Sequence, residues 1–131
     1  MQIRLFGSDL ELDDARIGAD SASVREQLRE YETGRRDRFD LEIDYPGTFT
    51  GTVMRAMERI PYGETRTYGE LAADLETAPV AVGQACGRNP VPVLVPCHRV
   101  VGADSLTGYA GGLDLKRALL EHEGASILTS R

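Results

Sequence analysis

The chain has 131 residues, of which 41% are apolar and 27% charged, and its formal net charge is −6. This composition describes one ordinary domain, or a reduced domain packed on a complete one, with enough apolar content for a core; it excludes a disordered chain. No apolar run is long enough to span a bilayer, and Met1-Gln2-Ile3-Arg4 lacks the charged-then-apolar order of a signal peptide, so a cytoplasmic location without membrane contact is expected.

Met1 to Phe6 alternates as a short strand, Gly7-Ser8-Asp9 marks a turn, and Leu10 to Leu12 begins a second strand. Asp20-Ser21-Ala22-Ser23 supplies helix caps ahead of Val24 to Tyr31, with Val24, Leu28 and Tyr31 on one face. Phe39 to Tyr45 alternates apolar and acidic residues, the pattern of a strand with one wet face, and Pro46-Gly47 closes the first region. A helix then runs through Val53, Met54, Met57 and Ile60 to a stop at Pro61-Tyr62-Gly63. Thr67 caps a short helix from Tyr68 to Leu75, and Pro79 opens another, which together read as a helix-turn-helix. The second of these helices, Val80 to Cys86, is small and nearly uncharged, so it can approach a surface closely, whether the core or a ligand. Val91 to Pro96 reads as a buried strand, Arg99 to Gly102 resumes an extended pattern, Thr107 to Gly112 is a glycine-rich loop, and Leu113 to Glu123 is a helix stopped by Gly124. The predicted class is α+β, with a reduced sheet-and-helix cap over residues 1–45 and a second region over 46–131.

Charge is uneven along this order. Residues 1–45 hold 12 acidic and 7 basic side chains, against 9 and 8 in the remainder, and the basic residues are 14 Arg with a single Lys, Lys116. Such a balance suits a protein kept soluble in a salt-rich cytosol, although an acidic interaction surface has the same appearance. Two cysteines, Cys86 and Cys97, and two histidines, His98 and His122, fit no zinc-ligand spacing, so no metal is expected. In a reducing compartment the cysteines read as one packed and one reactive thiol.

Cys97 and His98 are adjacent at the end of the buried run. An imidazole is a common device for making a thiolate near neutral pH. Adjacent residues in a strand point to opposite faces, however, so either the chain turns at Pro96 or water carries the proton between them. In both cases His98 needs an orienting acceptor, for which Glu121 or Glu123 is the natural supplier.

Further motifs surround this dipeptide. Gly63-Glu64-Thr65-Arg66-Thr67-Tyr68, Ala81-Val82-Gly83, Gly87-Arg88-Asn89-Pro90, Pro96-Cys97-His98-Arg99-Val100, Gly108-Tyr109-Ala110-Gly111-Gly112-Leu113 and His122-Glu123-Gly124 occur in this order. Together they resemble the O6-alkylguanine-DNA alkyltransferase family over residues 46–124. The resemblance implies a winged helix-turn-helix-like domain that takes an alkyl group from O6-alkylguanine in double-stranded DNA onto its own cysteine, once, without a cofactor. It implies that Cys97 is the acceptor, that His98 removes the thiol proton through a water, that Glu123 fixes His98, that Asn89 braces the acceptor segment and that Tyr68 donates toward the leaving guanine.

By the same resemblance Thr50 contacts the DNA backbone, and the helix with Val80, Ala81 and Gly83 enters the minor groove; Arg66, Arg88 and Arg99 are basic residues in this region and are expected to form only a weak basic surface on the DNA side. Cys86, Val100, Tyr109, Ala110 and Gly111 line the pocket for a flipped base. Three departures stand out: Val80 occupies the place where the family usually has an intruding arginine, the amino-terminal region is short, and the chain is acidic. Weak or salt-insensitive DNA binding by a monomer follows. Two other readings compete: a lesion sensor that flips alkylated bases without repair, whose relatives lack the thiol that Cys97 supplies, and a thiol hydrolase.

Overall fold

The structure, a computed structural model, describes residues 1–102 and 112–125. It begins with an antiparallel hairpin of β1 (Gln2–Leu5) and β2 (Ser8–Glu11), with Ile3 opposite Leu10 and Leu5 opposite Ser8. The turn is one step earlier than the sequence suggests. Phe6 and Gly7 take it at φ of 49° and 80°, the left-handed pair that matches strand twist, and this register keeps Ile3, Leu5, Leu10 and Leu12 on the buried face.

Helix α1 (Ser21–Glu32) starts where Asp20 accepts from the Ser23 amide and buries Val24, Leu28 and Tyr31, as the periodicity predicts. The segment from Phe39 to Tyr45 keeps the predicted alternation of half-buried apolar and exposed acidic residues. It does not form a strand in a sheet. It has one bridge, Ile17 to Ile43, with amide bonds from Gly18 to Glu42 O and from Asp44 to Arg16 O, because the irregular chain beside it offers no longer edge to pair with.

Helix α2 (Phe49–Glu58) buries Val53, Met54 and Met57. Gly51 is required there, since a Cβ at that position would lie 1.8 Å from the Pro46 carbonyl oxygen. Strand β3 (Arg66–Thr67) leads into α3 (Tyr68–Asp74), whose start is a reciprocal capping box: the Glu70 amide donates to Thr67 Oγ1 and the Thr67 amide to Glu70 Oε1. A tight link with Glu76 in the left-handed region turns the chain into α4 (Pro79–Gly87), which begins with proline at its first position. Helices α3 and α4 are the predicted helix-turn-helix. Strand β4 (Val100–Val101) pairs in parallel with β3, and α5 (Leu113–His122) ends at Gly124, φ 74°.

Apolar residues from both regions meet in one core, with Leu5, Leu12, Val24 and Tyr31 joining Val53, Met57, Val82, Leu115 and Leu119. The Asp13 amide donates to Pro90 O, tying the end of the hairpin to the chain just before the apolar run. No helix among the described residues is long and apolar enough to cross a membrane.

Candidate active site

The apolar run from Val91 to Val95 is a buried turn, which corrects the strand expected from its hydrophobicity. The Val95 amide donates to Val91 O at 3.0 Å, Pro92 bridges Val95, and Val93 takes φ 74°, a left-handed conformation rare for a β-branched residue. A continuous apolar run has no period from which strand and buried turn can be told apart. Asn89 holds this strained turn from inside: its Nδ2 donates to Val95 O and its Oδ1 accepts from the Val91 amide, both at 3.0 Å. The bracing predicted for Asn89 is thus applied to a turn.

At Pro96 the chain turns again. The Cys97 amide donates to Val95 O at 2.8 Å around a proline at φ −81°, ψ 65°, an inverse γ-turn, and Cys97–Arg99 then forms one turn of 3-10 helix. The chain therefore does turn at Pro96, and the turn is compatible with a water between the thiol and the ring. With roughly three residues per 3-10 turn, the Cys97 and His98 side chains diverge by about a third of a circle instead of opposing each other.

His98 is fully buried, and its Nε2 lies 2.8 Å from Glu123 Oε2, just beyond the end of α5. Glu123, and not Glu121, is therefore the orienting carboxylate. Only an N–H can face an ionised oxygen at that distance, so the neutral ring carries its proton on Nε2 and its lone pair on Nδ1. Burial lowers the basicity of His98 despite the opposing pull of Glu123, which favours the neutral ring.

Glu123 is heavily bonded. Arg99 donates through Nε to Oε1 at 2.8 Å and through Nη2 to Oε2 at 3.0 Å, and Tyr31 donates to Oε2 at 2.6 Å. Burial alone would raise the carboxyl pKa, but the hydrogen bonds and charges of His98 and Arg99 outweigh it and hold Glu123 well below the usual carboxylate range.

Arg99 corrects a sequence expectation. It is 8% exposed, its guanidinium clamps Glu123, and its Nη1 donates to Ile60 O at 2.7 Å, so it is not part of a basic DNA-facing surface. Arg66, also counted toward that surface, is half-exposed but paired with Asp74 at 2.9 Å and Glu70 at 3.6 Å. Arg88 is exposed.

Lys116 is a site residue that sequence reasoning missed. The chain's one lysine is wholly buried, donates from Nζ to Val100 O at 2.7 Å and lies 5.8 Å from the centre of the Tyr68 ring. Burial lowers its pKa to about 8, against the charges of the Cys97 and Cys86 thiols, which favour its protonated form. A signal was present: Lys116 shares a helical face with Leu119 and Leu120, an improbable place for a solvated lysine. Cys86, expected in the base pocket, directs its thiol to Met57 Sδ at 3.5 Å, and burial pushes its pKa up to about 12, so it is the packed and unreactive cysteine. Cys97 is 4% exposed and Val100 is fully buried.

Tyr68 opens α3 half-buried, with its ring in contact distance of Gly83 on α4. On α4, Val82 and Ala85 face the core, while Val80 is 68% exposed, Gln84 and Gly87 are exposed, and Ala81 and Gly83 are half-buried. The small side chains of α4 thus meet the core on one side and leave an exposed face on the other. Thr50 is half-buried in the first turn of α2. Tyr109, Ala110 and Gly111 lie outside the described residues. A cleft of about 450 Å³ opens among Phe39, Tyr62, Leu94 and Arg99; Cys97 does not line it. Among the described residues, no group of His, Cys, Asp and Glu side chains is placed to hold a metal ion.

Comparison with known proteins agrees with this geometry. Residues 48–125 match the family model for the DNA-binding domain of 6-O-methylguanine DNA methyltransferase. A methylated-DNA–protein-cysteine methyltransferase of Mycobacterium tuberculosis is 52% identical over 110 residues, which cover 81% of this chain and 66% of the relative, so the chain spans just under two thirds of that relative's length. The crystal structure of Mycobacterium tuberculosis OGT in complex with DNA superposes with a TM-score of 0.75 at 50% identity, over 79% of this chain and 66% of the other. The O6-methylguanine-DNA methyltransferase of Pyrococcus kodakaraensis is similar over 95% of this chain and 98% of its own, at 25% identity and a TM-score of 0.62. With its matched segment spanning the helix-turn-helix, the Cys97–Arg99 turn and the Glu123 cluster, the chain belongs to the 6-O-methylguanine DNA methyltransferase family.

Proposed function

We propose that this protein repairs O6-alkylguanine in double-stranded DNA by moving the alkyl group irreversibly onto Cys97, one lesion per molecule. The observation that carries this reading is the buried Cys97 on a 3-10 turn whose next residue, His98, is held neutral and oriented by Glu123 at 2.8 Å. His98 Nδ1 takes the thiol proton through a water. The sulfur then attacks the alkyl carbon; the S–C bond forms as the C–O6 bond breaks, and the electron pair leaves on the guanine. Tyr68 donates its phenolic proton to the departing base and is reprotonated from the His98 imidazolium, which favours the leaving group as negative charge develops. The thioether product does not turn over. Lys116, against Tyr68, favours the charge that appears on the phenol oxygen.

The exposed face of α4 enters the minor groove as a monomer binds, with Val80 at the step opened by the flipped base, Thr50 on the backbone and Arg88 as a nearby exposed cation. Tyr109, Ala110 and Gly111 complete the base pocket with Val100. Burial of Arg99 and pairing of Arg66 leave few phosphate partners, so duplex affinity falls only shallowly with salt. The acidic balance fits a cytoplasmic, salt-adapted protein that keeps its fold and activity in molar KCl; precipitation there removes that part of the reading.

Incubation with an O6-methylguanine oligonucleotide followed by mass spectrometry tests the central claim. One methyl group in place of one hydrogen on the Cys97 peptide, absent in Cys97→Ser, supports it. Binding without a mass change marks a lesion sensor, and repeated turnover eliminates the single-use mechanism. Val80→Arg tests the groove assignment: it tightens duplex binding or speeds repair, and no change in either removes Val80 from the opened step.

A further inference from the structure

The Glu123 carboxylate is completed from outside the segment that carries the family match. Tyr31, in the last turn of α1, donates its hydroxyl to Glu123 Oε2 at 2.6 Å, and the same oxygen accepts from His98 Nε2 at 2.8 Å. Tyr31 is 1% exposed and is fixed on several sides. Phe39 and Tyr62 lie against its ring at 5.4 and 6.3 Å between centres, and His122 Nε2 meets its backbone oxygen at 2.7 Å. Burial next to a carboxylate pushes the phenol pKa well above its ordinary value, so the hydroxyl stays protonated and donates.

We infer that Tyr31 is a positioning residue for alkyl transfer, acting through Glu123 to aim His98 and to set how much negative charge His98 meets. The inference rests on the proposed reaction at Cys97. The physical reason is competition: Glu123 Oε2 accepts from Tyr31, His98 and Arg99 Nη2 and divides its charge among them, so removing the shortest of these donors strengthens the remaining bonds, that to His98 included. The other groups facing the pair are Arg99 on the 3-10 turn, Tyr62 in the chain after α2, and Lys116 on α5. Arg99 and Lys116 oppose protonation of His98, whereas Tyr31 opposes it indirectly, by occupying Oε2. The amino-terminal region is therefore part of the chemical apparatus as well as a brace for it.

Tyr31→Phe in the full chain tests this, because it keeps the ring and removes only the hydroxyl. The titration of the His98 ring nitrogens is followed by NMR, and single-turnover transfer from an O6-methylguanine oligonucleotide is measured across pH. The expected result is a His98 pKa higher by about half a unit or more, since a less occupied Glu123 favours the imidazolium, with the acid limb of the rate profile moved up equally. The plateau rate falls by about 3–10-fold as His98 loses its aim. A lower rate with an unmoved His98 titration assigns Tyr31 to packing alone and overturns the inference, as does an unchanged profile. Replacement of Tyr31 by 3-fluorotyrosine, a stronger donor that preserves the fold, moves the His98 pKa down; a shift upward or none overturns the inference independently. If wild type transfers no alkyl group, the proposed reaction fails, while the NMR titrations still decide whether Tyr31 governs His98.

Discussion

The two regions of the molecule treat charge in opposite ways. In residues 1–45 charged side chains form surface pairs such as Arg4–Asp9 and Arg29–Glu26, whose members are each more than half exposed. In the second region, His98, Arg99, Lys116 and Glu123 are buried, and two of them, His98 and Arg99, are locked on the Glu123 carboxylate. Surface pairs of the first kind contribute little to stability, whereas a buried cluster of the second kind is stable only while every member is present. The contrast separates charge used for solubility from charge used for chemistry. Tyr31 is where the regions meet, an uncharged donor from the first set against the carboxylate of the second.

Breaking the buried set gives the largest effect. Glu123→Ala leaves Arg99 without its clamp and Tyr31 without an acceptor, and is expected to lower stability by about 3–5 kcal/mol in denaturant titration. Alkyl transfer falls by about 100-fold or more in the folded fraction, because His98 loses the group that selects its tautomer. Asp9→Asn in the first region is the control for the same measurement.

A backbone contact comes next. Gly51→Ala places a methyl group against the Pro46 carbonyl, and either α2 or the chain at Pro46 must shift, with a loss of about 1–3 kcal/mol. This loss carries no pH dependence, which distinguishes it from damage to the charged cluster. A stability change below the scatter of the titration contradicts the close approach of Pro46 to α2.

The buried set also predicts a pH response. The folded-state pKa of His98 is depressed below 6.5, so between those two values the unfolded chain binds a proton that the folded chain does not. Stability therefore declines as pH falls through 6.5, by at most about 1.4 kcal/mol per pH unit for this one proton, until the folded pKa is reached. Glu123 adds stability that is fully present above the ordinary carboxylate pKa of 4.5 and is lost only well below it. Urea titrations from pH 7.5 to 5 on wild type and His98→Gln read the first term directly. Equal slopes in the two proteins show that His98 is not buried neutral.

The same contrast explains how much could be read from the sequence. Local chemistry was legible: Asp20 and Thr67 begin their helices, Pro79 opens α4, and Gly124 ends α5, because each acts within a few residues. The Cys97-His98 pair with Glu123 was legible only because other motifs surrounded it. Burial of a charge was not legible. Arg99 read as surface since arginine ordinarily is, and its partner lies 24 residues away; Tyr31 read correctly as a core residue on α1, but its acceptor is 92 residues distant. The Val91–Val95 turn was read as a strand for a related reason, since Asn89, which holds it, acts through backbone atoms that carry no sequence signature.

The smallest effect closes the comparison. Arg4 and Asp9 face each other across the hairpin at 2.9 Å, with their side chains 68% and 73% exposed. Water screens both charges in the separated state nearly as well as they screen each other, and ordering two long side chains opposes the bond. Asp9→Asn is accordingly expected to shift Tm by less than about 2 °C, and adding salt to wild type weakens the same pair without visible loss. The residues beneath it, Ile3, Leu5 and Leu10, hold the hairpin by burial, so Leu10→Ala is the variant that unfastens it. A drop of several degrees for Asp9→Asn, matching Leu10→Ala, shows instead that this surface pair is cooperative with its acidic neighbours, and the division between solvating and structural charge then fails in the first region.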